Sequence, residues 1–376
     1  MSNKKRIFII AGESSGDQHA ACYVREHKEN NKDITFDAFG QKELKKVNAN
    51  IIYDTERISV VGIFEVLSKY KEIIKALSIA KDHINKTKPS LIVLVDYVEF
   101  NLKIARYAKE LGIPVIFYVA PQLWAWREKR AQVLVNSIDH LGVIFPFEEM
   151  FFKKYTNNVS YVGHPLFQNE ALINSVKNYA DRNIDLGIFP GSRESEIKSN
   201  IYSMLDCIQK NKNERIAIFY ANETSRNILK KLLPDEYHSK LASGKDFEKI
   251  SDCKKALCAS GTITLELSIL QVPMVIMYRL SYISFLIMRA LVKVRYIGLV
   301  NLILGDEIGS EPVVKEYVQP SYSDQVDIMV ELNAIDNDDQ YRNQIIDRFK
   351  DIKKKLSIKP TQRLVDIAES LINSSE

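Results

Sequence analysis

Apolar positions in this chain come in short, nearly continuous runs, each closed by turn residues. IFIIAG (7–12), LIVLVD (91–96), PVIFYVA (114–120) and HLGVIFPF (140–147) form one set. DLGIFPGS (185–192), RIAIFYA (215–221), KALCASG (255–261) and VPMVIMY (272–278) form a second. Runs this rich in β-branched residues, without alternation, predict strands buried on both faces. Helical stretches between them predict parallel, doubly wound sheets of the α/β class. GHPL and a polar segment separate the two sets near residues 163–183. The expected architecture is two Rossmann-like domains facing a central cleft, 1–168 and 169–340, followed by C-terminal helices over 341–376. Within that tail, 340–357 and 361–373 have helical patterns, the second opened by Thr361 as a cap after Pro360. A return of one of these helices onto the first domain is left open. In such sheets ligands lie beyond the carboxyl ends of the strands, where the polar motifs of this chain also fall.

Composition changes this picture only a little. A chain of 376 residues with 46% hydrophobic content can bury two cores, and a net charge of +4 is too small to argue for a nucleic-acid partner. Cys22, Cys207, Cys253 and Cys258 form no C-x-x-C pair and have no flanking histidines, so neither a zinc site nor a disulfide framework is expected and a reducing cytoplasm fits. The opening MSNKKRIFIIAG reads as a first strand, not a signal peptide. Segment 278–304 is the most apolar part of the chain, but Arg279, Arg289, Lys293 and Arg295 interrupt it and exclude a plain membrane span. It reads either as a basic amphipathic surface helix dipping into a bilayer interface or as a core helix pair with snorkelling cations.

The candidate chemistry sits at the turns. YVAPQLWAWREKR (118–130) gathers Gln122, Trp124, Trp126, Arg127, Lys129 and Arg130. Aromatic faces beside phosphate-binding charge suit a glycolipid or sugar phosphate, while core filling by the tryptophans is the competing reading. AGESSGD (11–17) follows the first strand without being G-x-G-x-x-G, which argues against a dinucleotide oxidoreductase. Its Glu13 and Asp17 would repel a diphosphate, so Glu13, Ser14, Ser15 and Asp17 are candidates for sugar hydroxyls, or else a helix cap. LVDYVEFN (94–101) ends a strand in Asp96, with Glu99 and Asn101 behind it. A strand-end carboxylate can take the proton of an attacking hydroxyl in glycosyl transfer, or cap a helix. FPGSRESEI (189–197) offers Gly191, Ser192 and Arg193 at a helix start, where backbone N–H groups and the guanidinium could hold a diphosphate. ASGTITLE (259–266) repeats the idea with Ser260, Gly261 and Thr262, and Glu266 suits a ribose diol or the helix N-terminus. Asp336 and Asp338 spell D-x-D in a polar stretch before a helix, a setting for capping and not for a metal.

Together these segments resemble the lipid A disaccharide synthases. AGESSGD, SVVGIFEVL (59–67), the strand ending in Asp96 with FN behind it, YVAPQLWAWREKR, FPFE (145–148), VGHPL (162–166), PGSRESEI, ASGTITLE and MVIMYR (274–279) occur in family order. The resemblance implies an inverting glycosyltransferase of GT-B fold with no metal ion or cofactor, its acceptor mainly on the N-terminal domain and uridine diphosphate mainly on the C-terminal one. The implied substrates are UDP-2,3-diacylglucosamine and 2,3-diacylglucosamine 1-phosphate. By the same resemblance Asp96 would be the base and Arg193 a catalytic cation. Gly191, Ser192, Arg193, Asn222, Ser260, Gly261, Thr262, Glu266 and Asn301 would form the UDP side. Glu13, Ser14, Ser15, Asp17, Glu99, Asn101, Gln122, Trp124, Trp126 and Arg127 would form the acceptor side. Two departures border these sites. Tyr97, Val98 and Glu99 stand where the family has A-P-D, and Leu299, Val300 and Asn301 stand where it has L-P-N. Acylated substrates imply peripheral attachment to the cytoplasmic face of the inner membrane; a homodimer stays open. The alternatives are another GT-B enzyme acting on a UDP-sugar, such as a lipid-linked N-acetylglucosaminyltransferase or a UDP-sugar epimerase, or a membrane-surface protein that binds nucleotide-sugar or lipid without turnover.

Overall fold

Ile7 to Ile10, Leu91 to Val95 and Val115 to Phe117 are wholly excluded from solvent, which is why these runs carry no polar alternation. The computed structural model describes residues 5–30, 33–58, 69–123, 128–207, 215–279, 296–304 and 311–374. The chain divides into two units, Met1–Pro165 with Ile358–Glu376, and Leu166–Ser357.

Among the described residues, the first unit has seven strands: β1 Lys5–Ala11, β2 Ile34–Gly40, β3 Asn50–Asp54, β4 Leu91–Val95, β5 Val115–Tyr118, β6 His140–Val143 and β7 Val159–Tyr161. They pair in parallel in the order β3-β2-β1-β4-β5-β6-β7. The chain thus winds outward from β1 in one direction, then returns to β4 on the other side of β1. Loops leaving β1 and β4 diverge at this reversal and leave a crevice where such sheets bind ligands. Helices cover the sheet as amphipathic stripes. Tyr70–Thr87 buries Ala76, Leu77, Ala80 and Ile84 and stops at Lys88, a left-handed cap whose N–H returns to the Ile84 carbonyl.

The last segment of the chain belongs to this unit. Its helix spans Leu364–Ser374 and therefore starts after Thr361, which does not cap it. Thr361 instead donates its hydroxyl to Glu149 (2.8 Å) and its N–H to the Tyr161 carbonyl (2.8 Å). Arg363 donates to Glu26 at 3.0 Å and Lys5 to Asn373 at 2.8 Å, tying the helix to both ends of the first β-α unit.

The second unit has six described strands: β8 Ile184–Phe189, β9 Ile216–Tyr220, β10 Leu241–Ser243, β11 Cys253–Cys258, β12 Met274–Tyr278 and β13 Glu316–Val318. Their order, β10-β9-β8-β11-β12-β13, is again parallel and again reverses, here between β8 and β11. Helix Asp339–Leu356 packs in this unit through Ile345, Phe349, Ile352 and Leu356. Asp338 caps it, accepting the Tyr341 N–H at 2.9 Å. Asp336 receives the buried Lys255 ammonium and the Tyr179 hydroxyl (3.0 Å), so neither D-x-D carboxylate stands open for a metal. All four cysteines are free thiols.

Candidate active site

In the first unit, the turns that leave β4 and β5 are strained. Asp96 (φ 51°) and Tyr97 (φ 44°) both follow β4 in the left-handed region, and Val119 (φ 64°) does so after β5. Non-glycine residues there cost about 1–3 kcal/mol each, most for a β-branched side chain, and persist only where their surroundings hold them. The holding groups are visible. Asn101, fully buried, donates from Nδ2 to the carbonyls of Asp96 (2.7 Å) and Val95 (3.3 Å). The Tyr97 ring stacks on Phe100, its hydroxyl donates to the Ile58 carbonyl (3.0 Å), and it lies so close over Gly12 that a Cβ there would be 2.3 Å from it. Burial and the nearby Glu13 push the Tyr97 phenol up to about 12, so it remains a neutral wall. Asp96 itself is half-buried at the crevice.

Several residues expected to face an acceptor do other work. Asp17 is buried, and its two carboxylate oxygens accept the N–H groups of Gln41 (2.7 Å) and Glu43 (2.8 Å) at the start of helix Lys42–Lys46. Asn101 is turned into the core as described. Glu99 is exposed and forms a two-pronged pair with Arg130, with Nη2 to Oε2 at 3.0 Å. Glu13, Ser14 and Ser15 open helix Ser14–Asn30 at the β1 end, and Gln122 is exposed after β5. Trp124, Trp126 and Arg127 lie outside the described residues, as do segment 59–67 and most of 278–304.

Two histidines went unnoticed in the sequence. His19, on the first helix, and His164, after β7, have ring centroids 6.4 Å apart. Burial lowers His19 to about 4 and His164 to about 3, so both imidazoles are neutral at pH 7.

In the second unit the reversal between β8 and β11 brings PGSR and ASGT onto one rim. Gly191 (φ 119°) lets the loop after β8 fold against Glu196, whose Oε2 accepts the N–H groups of Ser192 (3.1 Å) and Arg193 (3.3 Å). Those two donors were expected to hold a phosphate; a carboxylate of the chain itself occupies them. Glu196 Oε1 accepts Arg193 Nη1 at 3.0 Å. After β11, the Ser260 hydroxyl donates to the Ile297 carbonyl (3.1 Å), Gly261 (φ 149°) has open space around its missing Cβ, and Thr262 begins helix Thr262–Ile269. Glu266 lies on the second turn of that helix, its carboxyl raised to about 7 by burial.

Asn222 and Asn301 both depart from the expected nucleotide-facing role. Asn222 caps helix Glu223–Leu232, accepting the Ser225 N–H at 2.9 Å. Asn301 is buried, donates to the Val314 carbonyl (2.8 Å) and to Glu316 (2.6 Å), and accepts the Val314 N–H (3.1 Å). Glu316 also accepts the N–H groups of Ile297 (2.8 Å) and Gly298 (2.9 Å). Asn301 therefore braces the segment that Ser260 grips.

With this geometry in hand, the decisive comparison is a match of residues 7–368 to the family model for lipid-A-disaccharide synthetase. The chain belongs to the lipid-A-disaccharide synthetase family. It is 32% identical over 379 residues to the lipid-A-disaccharide synthase of Nitrosococcus oceani, covering 97% of this chain and 96% of that protein. It is 31% identical to the Coxiella burnetii lipid-A-disaccharide synthase over the full length of both. Among solved structures, the glycotransferase of kitacinnamycin superposes with a TM-score of 0.59 at 11% identity, covering 98% of this chain and all of that one. A UDP-N-acetylglucosamine 2-epimerase from Listeria monocytogenes, described as putative in its own right, superposes at 0.57 and 11% identity over 91% of each chain. At such identities the likeness concerns fold alone, and that fold is GT-B. As a member of the lipid-A-disaccharide synthetase family, the chain is a glycosyltransferase acting on a UDP-sugar and an acceptor. Among the described residues no helix is long and apolar enough to cross a membrane.

Proposed function

We propose that this chain transfers 2,3-diacylglucosamine from UDP-2,3-diacylglucosamine to the 6-hydroxyl of 2,3-diacylglucosamine 1-phosphate. The products are the β(1→6) disaccharide 1-phosphate and UDP. The observation that supports this best is the coincidence of the chemistry-bearing motifs with both strand reversals: AGESSGD and Asp96 at one, PGSR and ASGT at the other. The first unit would hold the acceptor and the second the UDP-sugar.

In this reading the Asp96 carboxylate takes the proton of the acceptor 6-hydroxyl as its oxygen attacks C1 of the donor sugar. The bond from C1 to the UDP oxygen breaks with inversion, and the departing diphosphate meets the Arg193 guanidinium beside the turn Ser260–Thr262. Glu266 addresses the ribose diol. Glu13, Ser14, Ser15, Gln122, Trp124, Trp126 and Arg127 complete the acceptor wall. The transfer uses no metal ion, and Phe285, Leu286 and Met288 within segment 278–304 attach the protein peripherally to the cytoplasmic face of the inner membrane, while the end of that segment, helix Leu299–Leu304, is buried in the second unit. The test is UDP release by the purified protein in detergent, with and without 2,3-diacylglucosamine 1-phosphate. Release that requires the acceptor and yields a disaccharide 1-phosphate is expected; release independent of acceptor, or none, contradicts the reading.

A further inference from the structure

Helix Glu194–Asp206 turns two polar side chains, Glu196 and Asn200, back onto the loop that precedes it. They stand four residues apart, one helical turn, and so share a face. Asn200, fully buried, donates from Nδ2 to the Pro190 carbonyl (3.0 Å) and accepts the Arg279 N–H (2.9 Å). Glu196 accepts the two loop N–H groups and the Arg193 guanidinium, and its Oε1 also receives the Tyr278 hydroxyl at 3.4 Å. A Cβ at Gly191 would lie 2.8 Å from both Cβ and Oε2 of Glu196, so the close approach of the carboxylate requires a glycine there.

We infer that Glu196 is the positioning residue of the donor site, acting through Arg193. It fills the two backbone donors of the loop and grips the guanidinium on one side. A departing diphosphate is then met by Arg193 itself and not by the loop N–H groups. This rests on the reading of Arg193 as the cation of the UDP side.

The electrostatic sign makes the role separable from mere proximity. A carboxylate beside a diphosphate site repels the ligand, so neutralising a bystander would tighten UDP and leave turnover alone. Neutralising a residue that aims Arg193 lowers turnover. A glutamine has one acceptor oxygen in place of two, and its amide N–H groups confront the donors of the guanidinium.

The experiment compares full-length wild type, Glu196→Gln, Arg193→Ala and the double variant, with thermal unfolding as the check on folding. Acceptor-dependent UDP release and calorimetric UDP binding are measured on each. Glu196→Gln should lose about 10- to 100-fold in kcat while its Kd for UDP stays equal or tightens. In the Arg193→Ala background the same change should cost less than about twofold, the non-additivity expected of a residue acting through another. Glu196→Asp, which keeps the charge, should recover part of the turnover. Wild-type turnover in Glu196→Gln, or an equal loss in both backgrounds, overturns the proposal. If wild type itself releases no UDP, the function assigned above fails, and this proposal is read from UDP affinity instead. Arg193→Ala must then weaken UDP binding less beside Glu196→Gln than in wild type, and equal weakening overturns it.

Discussion

Replacing Asn101 probes the strained turn that presents Asp96. Its amide donates to the carbonyls of Asp96 and Val95 from a fully buried position, and the two residues it restrains, Asp96 and Tyr97, are both left-handed. Asn101→Ala removes two hydrogen bonds worth about 1 kcal/mol each and leaves a small void, a total of about 2–3 kcal/mol. Part of that loss is returned as the turn relaxes, because the left-handed pair stores about 1–3 kcal/mol per residue. Relaxation moves the Asp96 carboxylate, and a displacement near 1 Å can cost about 100-fold in rate. Turnover should therefore fall by about 10- to 100-fold, more than the stability change suggests. Asn101→Asp, of the same shape but with no amide donors when ionised, should behave alike. The assays are steady-state UDP release and hydrogen exchange of residues 91–110, since a two-unit chain need not unfold in one transition. UDP binding, a property of the other unit in this account, should be unchanged. Full turnover in Asn101→Ala, or a parallel loss of UDP affinity, would refute the reasoning.

Other consequences follow from the same contacts. Burial raises Glu266 from 4.5 to about 7, so the folded state holds a proton that the unfolded chain releases; stability should fall as pH rises from about 4.5 to 7 and level off above, and Glu266→Gln should flatten that stretch of a denaturation-versus-pH curve. His19 and His164 have the opposite sign. Lowered from 6.5 to about 4 and about 3, they should cost stability as pH falls below 6.5, a loss that substituting both with glutamine reduces. Asn301→Ala removes two buried hydrogen bonds and a part-buried one and should cost about 2–4 kcal/mol in denaturant titrations, while Asn301→Asp should fare no better. Replacing Phe285, Leu286 and Met288 with serine should shift the protein from the membrane to the soluble fraction; unchanged fractionation would contradict the proposed attachment.

The fold was legible where burial is complete on both faces. Ile7–Ile10, Leu91–Val95 and Leu257–Cys258 lie in apolar runs that read as interior strands and are wholly excluded from solvent, whereas the strand order, and with it the place of the reversals, is set by tertiary pairing and left no mark in the runs. Five described strands escaped the pattern: Ile34–Gly40, a buried strand whose apolar run is broken by Thr35 and Asp37; the short or polar Asn50–Asp54, Val159–Tyr161 and Leu241–Ser243 at sheet edges; and Glu316–Val318, whose first residue is spent on Asn301 and two backbone N–H groups. The candidate site shows the same division. Residue type and position in a motif located the turns, but they do not fix the direction of a side chain. Asp17, Asn101, Asn222 and Asn301 carry the groups a ligand site needs and use them instead on their own backbone. Glu196, an acid in the first turn of a helix, carries no sequence mark that tells it from Glu194, and only its position shows that it fills the N–H groups of Ser192 and Arg193. Thr361 had the chemistry of a cap, but Glu149, more than 200 residues earlier in the chain, took its hydroxyl.

The central claim is that Asp96 takes a proton during metal-free transfer from a UDP-sugar. Its most direct test is acceptor-dependent UDP release in EDTA by wild type and by Asp96→Asn, with UDP affinity measured in parallel. Turnover that persists in EDTA, falls by about 100- to 10,000-fold in the variant and leaves UDP affinity unchanged is the predicted result. An Asp96→Asn enzyme that keeps its turnover, or a wild type silenced by EDTA, would contradict the account.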